Sequence, residues 1–433
     1  MIRRHFLSTL SLGASASAAS LLRAQDTSPD DLSKFSEALV PARAITKGPA
    51  FHWFGYYDKL QFDPSNRFVL SNQVSFEHRT PTADDRIQVG MIDLEEGDRW
   101  IELGKSDAWG WQQGCMLQWV PGSKNEVIWN DREDGRFVSH IKNVDSGEVR
   151  TLPRAVYALS PDGKWAVSAD FGRIQALRPG YGYQGIADPY RTEKAPEKSG
   201  IWRMNLGTGE SELIFSLAEA AAIPFKGGSL AEQWNWFNHL LVAPDSKRFT
   251  FLHRWRAKGP DDAEFAVNNG FVTRMFTMNL DGSDPFIIDP SGYTSHFVWR
   301  DAGSITAWTR PEGQKDAFYL LEDRTGKFTI VGEGDMPVNG HNTYLTTGNG
   351  MEWILNDTYP SGVRRQQTPY LYHEPTGKRH DLGHFHSPKI YSGEWRCDTH
   401  PRSSNDGKLV TIDSPHGGTG RQVWLLDVSG IVG

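Results

Sequence analysis

Two short signals alternate along this chain, seven copies of each in strict order, and no other feature narrows its fold so far. The first is a tight turn followed by an alternating hydrophobic run. Its copies begin at Phe62 (FDPSNRFVLSN), Val120 (VPGSKNEVIWND), Ser160 (SPDGKWAVSAD), Ala243, Arg300, Thr346 and Ser403. The second is an apolar strand ending in a polar turn with glycine, starting at Gly90 (GMIDLEEGD), His140, Trp202, Phe276, Tyr319, Tyr370 and Val423. Pro-Asp-Gly clusters set tight turns, and period-two alternation marks a strand with one buried and one exposed face. A period of roughly 40–60 residues built only from short strands and turns marks a β-propeller with one four-stranded sheet per blade. The expected fold is therefore all-β, a seven-bladed β-propeller. Two packed sandwiches would also have short strands, but not the same two motifs seven times in register.

Composition bears on this in a few places. The 433 residues include 16 Trp, 43 Gly and 24 Pro, a β-and-turn usage. Hydrophobic residues make up 38% and charged residues 23%, which suits a folded chain and not a disordered one. With 46 basic and 53 acidic side chains the net charge is −7, so nucleic acid is not an expected partner. Cys115 and Cys397 are the only cysteines, which excludes a disulfide framework and a four-cysteine zinc site.

Residues 1–24 read as a signal peptide: a basic start, a short apolar middle, then small residues. Arg3 and Arg4 followed by Phe6 and Leu7 have the look of the twin-arginine type, which predicts export to the periplasm or beyond. No later segment reaches ~18 uninterrupted apolar residues, so no membrane span is expected in the mature chain. Residues 25–433 then form one propeller domain, with an insertion around 178–233 that carries a short helix in SLAEAAAI over one face.

In a propeller the strand ends of every blade meet around a central channel, so equivalent positions far apart in sequence become neighbours. His239, His296, His341 and His400 each lie a few residues before a turn signal, and His253 ends the strand after the fourth one. One such histidine is most simply a core residue. Four at matched positions suit metal ligation or proton transfer. Arg274 adds a fixed cation in the fourth blade, and such a site within an acidic chain implies an anionic ligand. Tyr157 and Arg173 flank the third turn and are candidates to face the channel. Trp234 and Trp236 could stack a sugar but are more simply packing. No nucleophile elbow, HExxH, phosphate-binding loop or dinucleotide fingerprint is present.

At these residues the chain resembles the oligogalacturonate lyases, seven-bladed propellers that split uronic-acid oligomers, over most of its mature length. The segment from Tyr56 to Asn72 is similar to that family's first blade, and NHLLVAPDSKRFTFLHR to its Gly-His, turn and Cys-His stretch. TRMFTMNLDGSD and TSHFVW place Arg274 and His296 on the family's catalytic arginine and histidine, and NGHNTYL places His341 on a metal-binding histidine. The last motif departs: WRCDTHP keeps His400 and Pro401, but Trp395 replaces a glutamine and Asp398 a histidine. The resemblance implies a divalent ion held by His341, Asp398 and His400. Manganese is the family's ion, with zinc (through Cys397) and calcium as alternatives. It also implies an acidic oligosaccharide substrate cleaved by β-elimination, with His296 as base, Arg274 as cation, and His239 and His253 binding the sugar or protonating the leaving oxygen; Tyr157 and Arg173, by their position alone, are further substrate-binding candidates. The competing reading is a non-catalytic exported propeller of the TolB type, binding carbohydrate or protein. A glycoside hydrolase would require a carboxylate pair, and none stands out.

Overall fold

The computed structural model describes residues 33–262, 270–345 and 351–433. The signal peptide expected at 1–24 and the turn of the sixth repeat at 346–350 lie outside the described residues. Among the described residues, seven four-stranded antiparallel sheets follow one another along the chain. The first comprises Phe51–Trp53, Phe68–Val74, Ile87–Asp93 and Arg99–Ser106. Among the described residues the turn signals join first to second strands, and the glycine-bearing signals form each third strand and, in the first six sheets, its turn to the fourth. Both therefore sit on one face of the ring, and the connections that vary sit on the other.

Closure explains why seven sheets make one body. The last sheet takes its outer strand from the start of the chain: Ala42–Ala44 pairs with Gln422–Asp427. Apolar clusters occupy every junction between successive blades, from Trp53, Leu70 and Trp129 between the first two to Ile45, Val69 and Leu425 between the last and the first. Neighbouring residues of one strand serve opposite junctions, as Val69 and Leu70 do. This corrects the expectation of one exposed strand face. All nine residues of Arg248–Arg256 are buried, because each middle strand has a blade on both sides.

The expected insertion divides in two, because the third sheet's outer strands, Gly200–Asn205 and Ser211–Ser216, run through the middle of it. Just before its first part lies the helix Phe171–Leu177, which no sequence signal announced. Its second part holds the helix Leu217–Ala222, started by a capping box between Ser216 and Glu219. No helix among the described residues is long and apolar enough to cross a membrane.

Candidate functional site

The channel is lined where each innermost strand begins. Tyr157, His296, His341 and His400 immediately precede or closely flank these strands in the third, fifth, sixth and seventh blades, and His239 lies within that of the fourth. His239 sits at an irregularity in its strand, with φ of 50°, and His400 has φ of 37°. Left-handed backbone is uncommon for non-glycine residues and tends to be held at functional positions. Gly340 lets His341 in: a Cβ on it would lie 1.9 Å from the Asp357 carbonyl oxygen.

The first blade supplies a plug. Tyr56 stacks on His239 with ring centroids 4.8 Å apart. The Tyr57 hydroxyl crosses the channel, donating to the Phe297 carbonyl at 3.0 Å and accepting from its N–H at 3.1 Å. Against this plug the rings of His296 and His341 lie 4.2 Å apart, as do those of His341 and His400. Three of the four matched histidines thus form one cluster, and His239 lies beyond the Tyr56 ring.

His341, Asp398 and His400 each bring a ligand atom within 4.8 Å of the others. Nε2 of His341, Nε2 of His400 and Oδ1 of Asp398 are buried without a hydrogen-bond partner among the described residues. An orphaned buried polar atom costs about 1–3 kcal/mol, so three in contact range favour a shared cation. Asp357 fixes the His341 ring by accepting from Nδ1–H at 2.9 Å, which leaves Nε2 as the free lone pair. Two imidazoles and a carboxylate fit a divalent transition ion. Cys397 is not part of this group, and burial pushes its thiol up, away from the thiolate a zinc ligand requires.

A cavity of about 450 Å³ opens beside the cluster, lined by His239, His296, Tyr359, Tyr181 and the arginines 178, 254 and 396. Nδ1 of His296 is 3.0 Å from Asn339 Oδ1, an acceptor, so the proton sits on Nδ1 and Nε2 is the basic nitrogen, 3.4 Å from the Tyr359 hydroxyl. Burial, then the neighbouring His341, lowers the pKa of His296 well below the usual value. Burial, then Arg254, does the same to His239, so both rings are neutral at neutral pH. Burial raises Tyr359. Burial also works to raise Tyr181, but Arg396, which donates to its hydroxyl at 2.6 Å, and Arg178 bring it below the usual phenol value.

Three expected residues are placed elsewhere. Arg274 pairs in register with His253 in the middle strands of the fourth blade, not at the channel. Its guanidinium donates to the carbonyls of Ala220, Ile223 and Pro224 and to Nδ1 of His253, clasping the helix Leu217–Ala222. His253 then donates from Nε2 to Asn235 Oδ1 at 2.8 Å. Arg173 lies on the helix Phe171–Leu177, ion-paired with Asp188 at 2.8 Å and bonded to the Asn235 carbonyl. None of the three lines the cavity. Tyr157 does reach the channel, bonding Gln113 and Asn238. Trp236 is fully buried, as packing requires.

Sequence reasoning missed Arg178, Tyr181, Arg254, Tyr359 and Arg396. Only the RPGYGYQG run hinted at the first two: Gly182 lies so near Gln175 and the Phe171 carbonyl, at 2.2 Å from a built Cβ, that no side chain fits, and this packing seats Tyr181.

Fold and site together define the class: a β-propeller with a histidine- and arginine-rich pocket at its channel. Among solved structures, an oligogalacturonate lyase in complex with manganese is similar at TM-score 0.63 and 14% identity, covering 90% of this chain and 94% of that one. The oligogalacturonate lyase from Vibrio parahaemolyticus aligns equally well, at TM-score 0.63 and 14% identity, over 92% and 98%. TolB from Acinetobacter baumannii aligns at TM-score 0.39 and 13% identity over 85% and 83%. At such identities the likeness to the lyases is one of fold. No family model matches the sequence, and no curated protein does.

Proposed function

We propose that this protein is a carbon–oxygen lyase that cleaves uronic-acid-containing oligosaccharides by β-elimination. The observation that carries the reading is the convergence of three partnerless buried atoms, on His341, Asp398 and His400, beside His296 in an arginine-lined cavity. The fold shared with oligogalacturonate lyases supports it.

His341, Asp398 and His400 would hold a divalent ion. Manganese is the first to test, since it is bound in one of those lyases, and zinc and calcium are the alternatives. When bound, the ion supplies charge neutralisation of the uronate carboxylate, without which the carbanion-like transition state carries two adjacent negative charges.

The chain's own groups do the rest. His296 takes the proton from the sugar carbon next to the carboxylate through Nε2, the nitrogen left free by Asn339. The C–H electron pair becomes the new C4=C5 double bond, and the bond to the 4-linked oxygen breaks. Tyr359, kept protonated by burial, returns a proton to that oxygen. Such acid–base assistance is worth on the order of 10²–10⁴-fold. His239 positions the sugar by hydrogen bonds, and Tyr157, fully buried behind the cavity, positions His239 by accepting from its backbone N–H at 3.0 Å. The chain is exported by the twin-arginine route and acts outside the cytoplasm.

Incubating the full chain and excess Mn²⁺ with oligogalacturonates, oligoglucuronates and ulvan oligomers tests this. Ultraviolet absorbance and mass spectrometry should find a C4=C5 unsaturated product from at least one, lost in His296→Ala. Saturated products would make the protein a hydrolase, and binding without cleavage a carrier of the TolB kind; either outcome overturns the reading.

A further inference from the structure

Buried arginines in this protein normally have partners. Arg402 is paired with Asp413 and Arg421 with Glu77, while Arg173 and Arg274 each bond several carbonyl oxygens. Arg396 in the cavity is neutralised by Asp398. Arg254 departs from this rule. It is 5% exposed, its Nε has no partner, and it forms no ion pair among the described residues. Arg178, which caps the helix Phe171–Leu177, likewise has a buried Nε without a partner and no ion pair among the described residues.

The two come from different blades yet meet on one surface. Their guanidinium carbons lie 5.1 and 4.8 Å from the centroid of the same Phe271 ring, and both side chains line the cavity with His239 and His296. Bringing two uncompensated cations together in a half-dry pocket destabilises each. Burial, then the charge of Arg178, brings Arg254 down to about 10. An anion entering the cavity would relieve both at once, and the guanidinium fork suits carboxylate or sulfate oxygens. These two are left open toward the cavity that His239 and His296 line.

We propose that Arg178 and Arg254 form a second anion-binding site, distinct from the His341–Asp398–His400 group, which takes a carboxylate or sulfate ester on the sugar adjacent to the one undergoing cleavage. The existence of the site rests on its own geometry; its assignment to a neighbouring sugar rests on the lyase reading above. The substrate class is thereby narrowed to oligosaccharides with anionic groups on two consecutive sugars. Tyr293, half exposed, lines the same cavity.

The test has a metal-free and a substrate arm. In chelator-treated protein, sodium sulfate should raise the melting temperature above that seen with chloride at equal ionic strength. Arg178→Gln and Arg254→Gln should abolish that difference, and Arg254→Lys should keep part of it. In calorimetry with Mn²⁺ present, Arg254→Gln and Arg178→Gln should each weaken digalacturonate binding at least tenfold while leaving galacturonate within twofold. A disaccharide whose second sugar carries sulfate and no carboxylate shows which anion is preferred. Should sulfate stabilise the variants as it does the parent, or should both sugars weaken equally, the site does not exist. Sulfate binding lost in the variants, in a protein that cleaves no uronate, would leave the site standing and sink only the lyase reading. Arg178 is half-buried, so its variant tests the site even where Arg254→Gln fails to fold.

Discussion

Asp357 touches neither the cavity nor the partnerless ligand atoms, yet the proposed metal centre would depend on it. It is 1% exposed and accepts from the His341 backbone N–H at 2.8 Å, from its ring Nδ1–H at 2.9 Å, and from the Thr399 hydroxyl. Burial alone would raise its pKa, but the His341 ring and these hydrogen bonds hold it below the ordinary carboxylate value. Asp357→Asn keeps the shape and removes the charge, and one of the three donors then faces an amide NH₂. Losing a charge-assisted contact of this kind is worth about 1.5–3 kcal/mol. A carboxylate behind a metal-bound histidine typically carries 10–100-fold in affinity, or about 1.4–2.8 kcal/mol. The two routes agree. Calorimetric titration with Mn²⁺ should therefore show Kd weakened roughly 10–100-fold in Asp357→Asn, with the metal-free variant still folded. An unchanged Mn²⁺ affinity in a folded variant would refute the orientation of His341 by Asp357 and, with it, the ligand assignment.

Three further outcomes follow from the geometry. Arg274→Gln should lower stability by about 3 kcal/mol or more through the loss of its carbonyl clasp, while kcat of the folded protein in the proposed lyase reaction stays within about twofold of the parent; a kcat collapse without a stability loss would restore Arg274 to the chemistry. Tyr57→Phe removes the partner of the Phe297 N–H and carbonyl and should cost about 1–2 kcal/mol in denaturant unfolding, against no change if the plug is not held by that hydroxyl. Burial lowers His416 to about 4, whereas in the unfolded chain it titrates near 6.5. The unfolded state therefore binds the extra proton in between, and stability that is complete above about pH 6.5 falls by up to about 3 kcal/mol toward pH 4. Comparing unfolding midpoints at neutral pH and near pH 4 should show a smaller drop in His416→Gln, and an equal drop would contradict the account.

The repeat was legible because turns obey local rules. Pro, Asp and Gly fix a backbone conformation wherever the strands lead, and both turn classes fall between the strands that the motifs implied. The histidines that begin innermost strands were legible for the same reason, since distance from a turn signal fixes position along a blade. Distance across a blade is not encoded in this way. His253 and Arg274 read as site residues by position along the blade and by resemblance, but they occupy the second and third strands, where register joins them to each other and Arg274 to an inserted helix. Arg254, the next residue after His253, faces the cavity instead, because successive side chains of a strand point to opposite faces. Arg178 and Tyr181 belong to a connection without periodicity, and glycine packing alone settles where it runs.

Anomalous X-ray diffraction from crystals of the full chain grown with Mn²⁺ addresses the centre of this account most directly. One strong manganese peak is expected within bonding distance of His341 Nε2, Asp398 and His400 Nε2, beside the cavity that His296 lines. A manganese peak elsewhere, or none at this cluster in crystals whose dissolved protein still cleaves uronates, would contradict it.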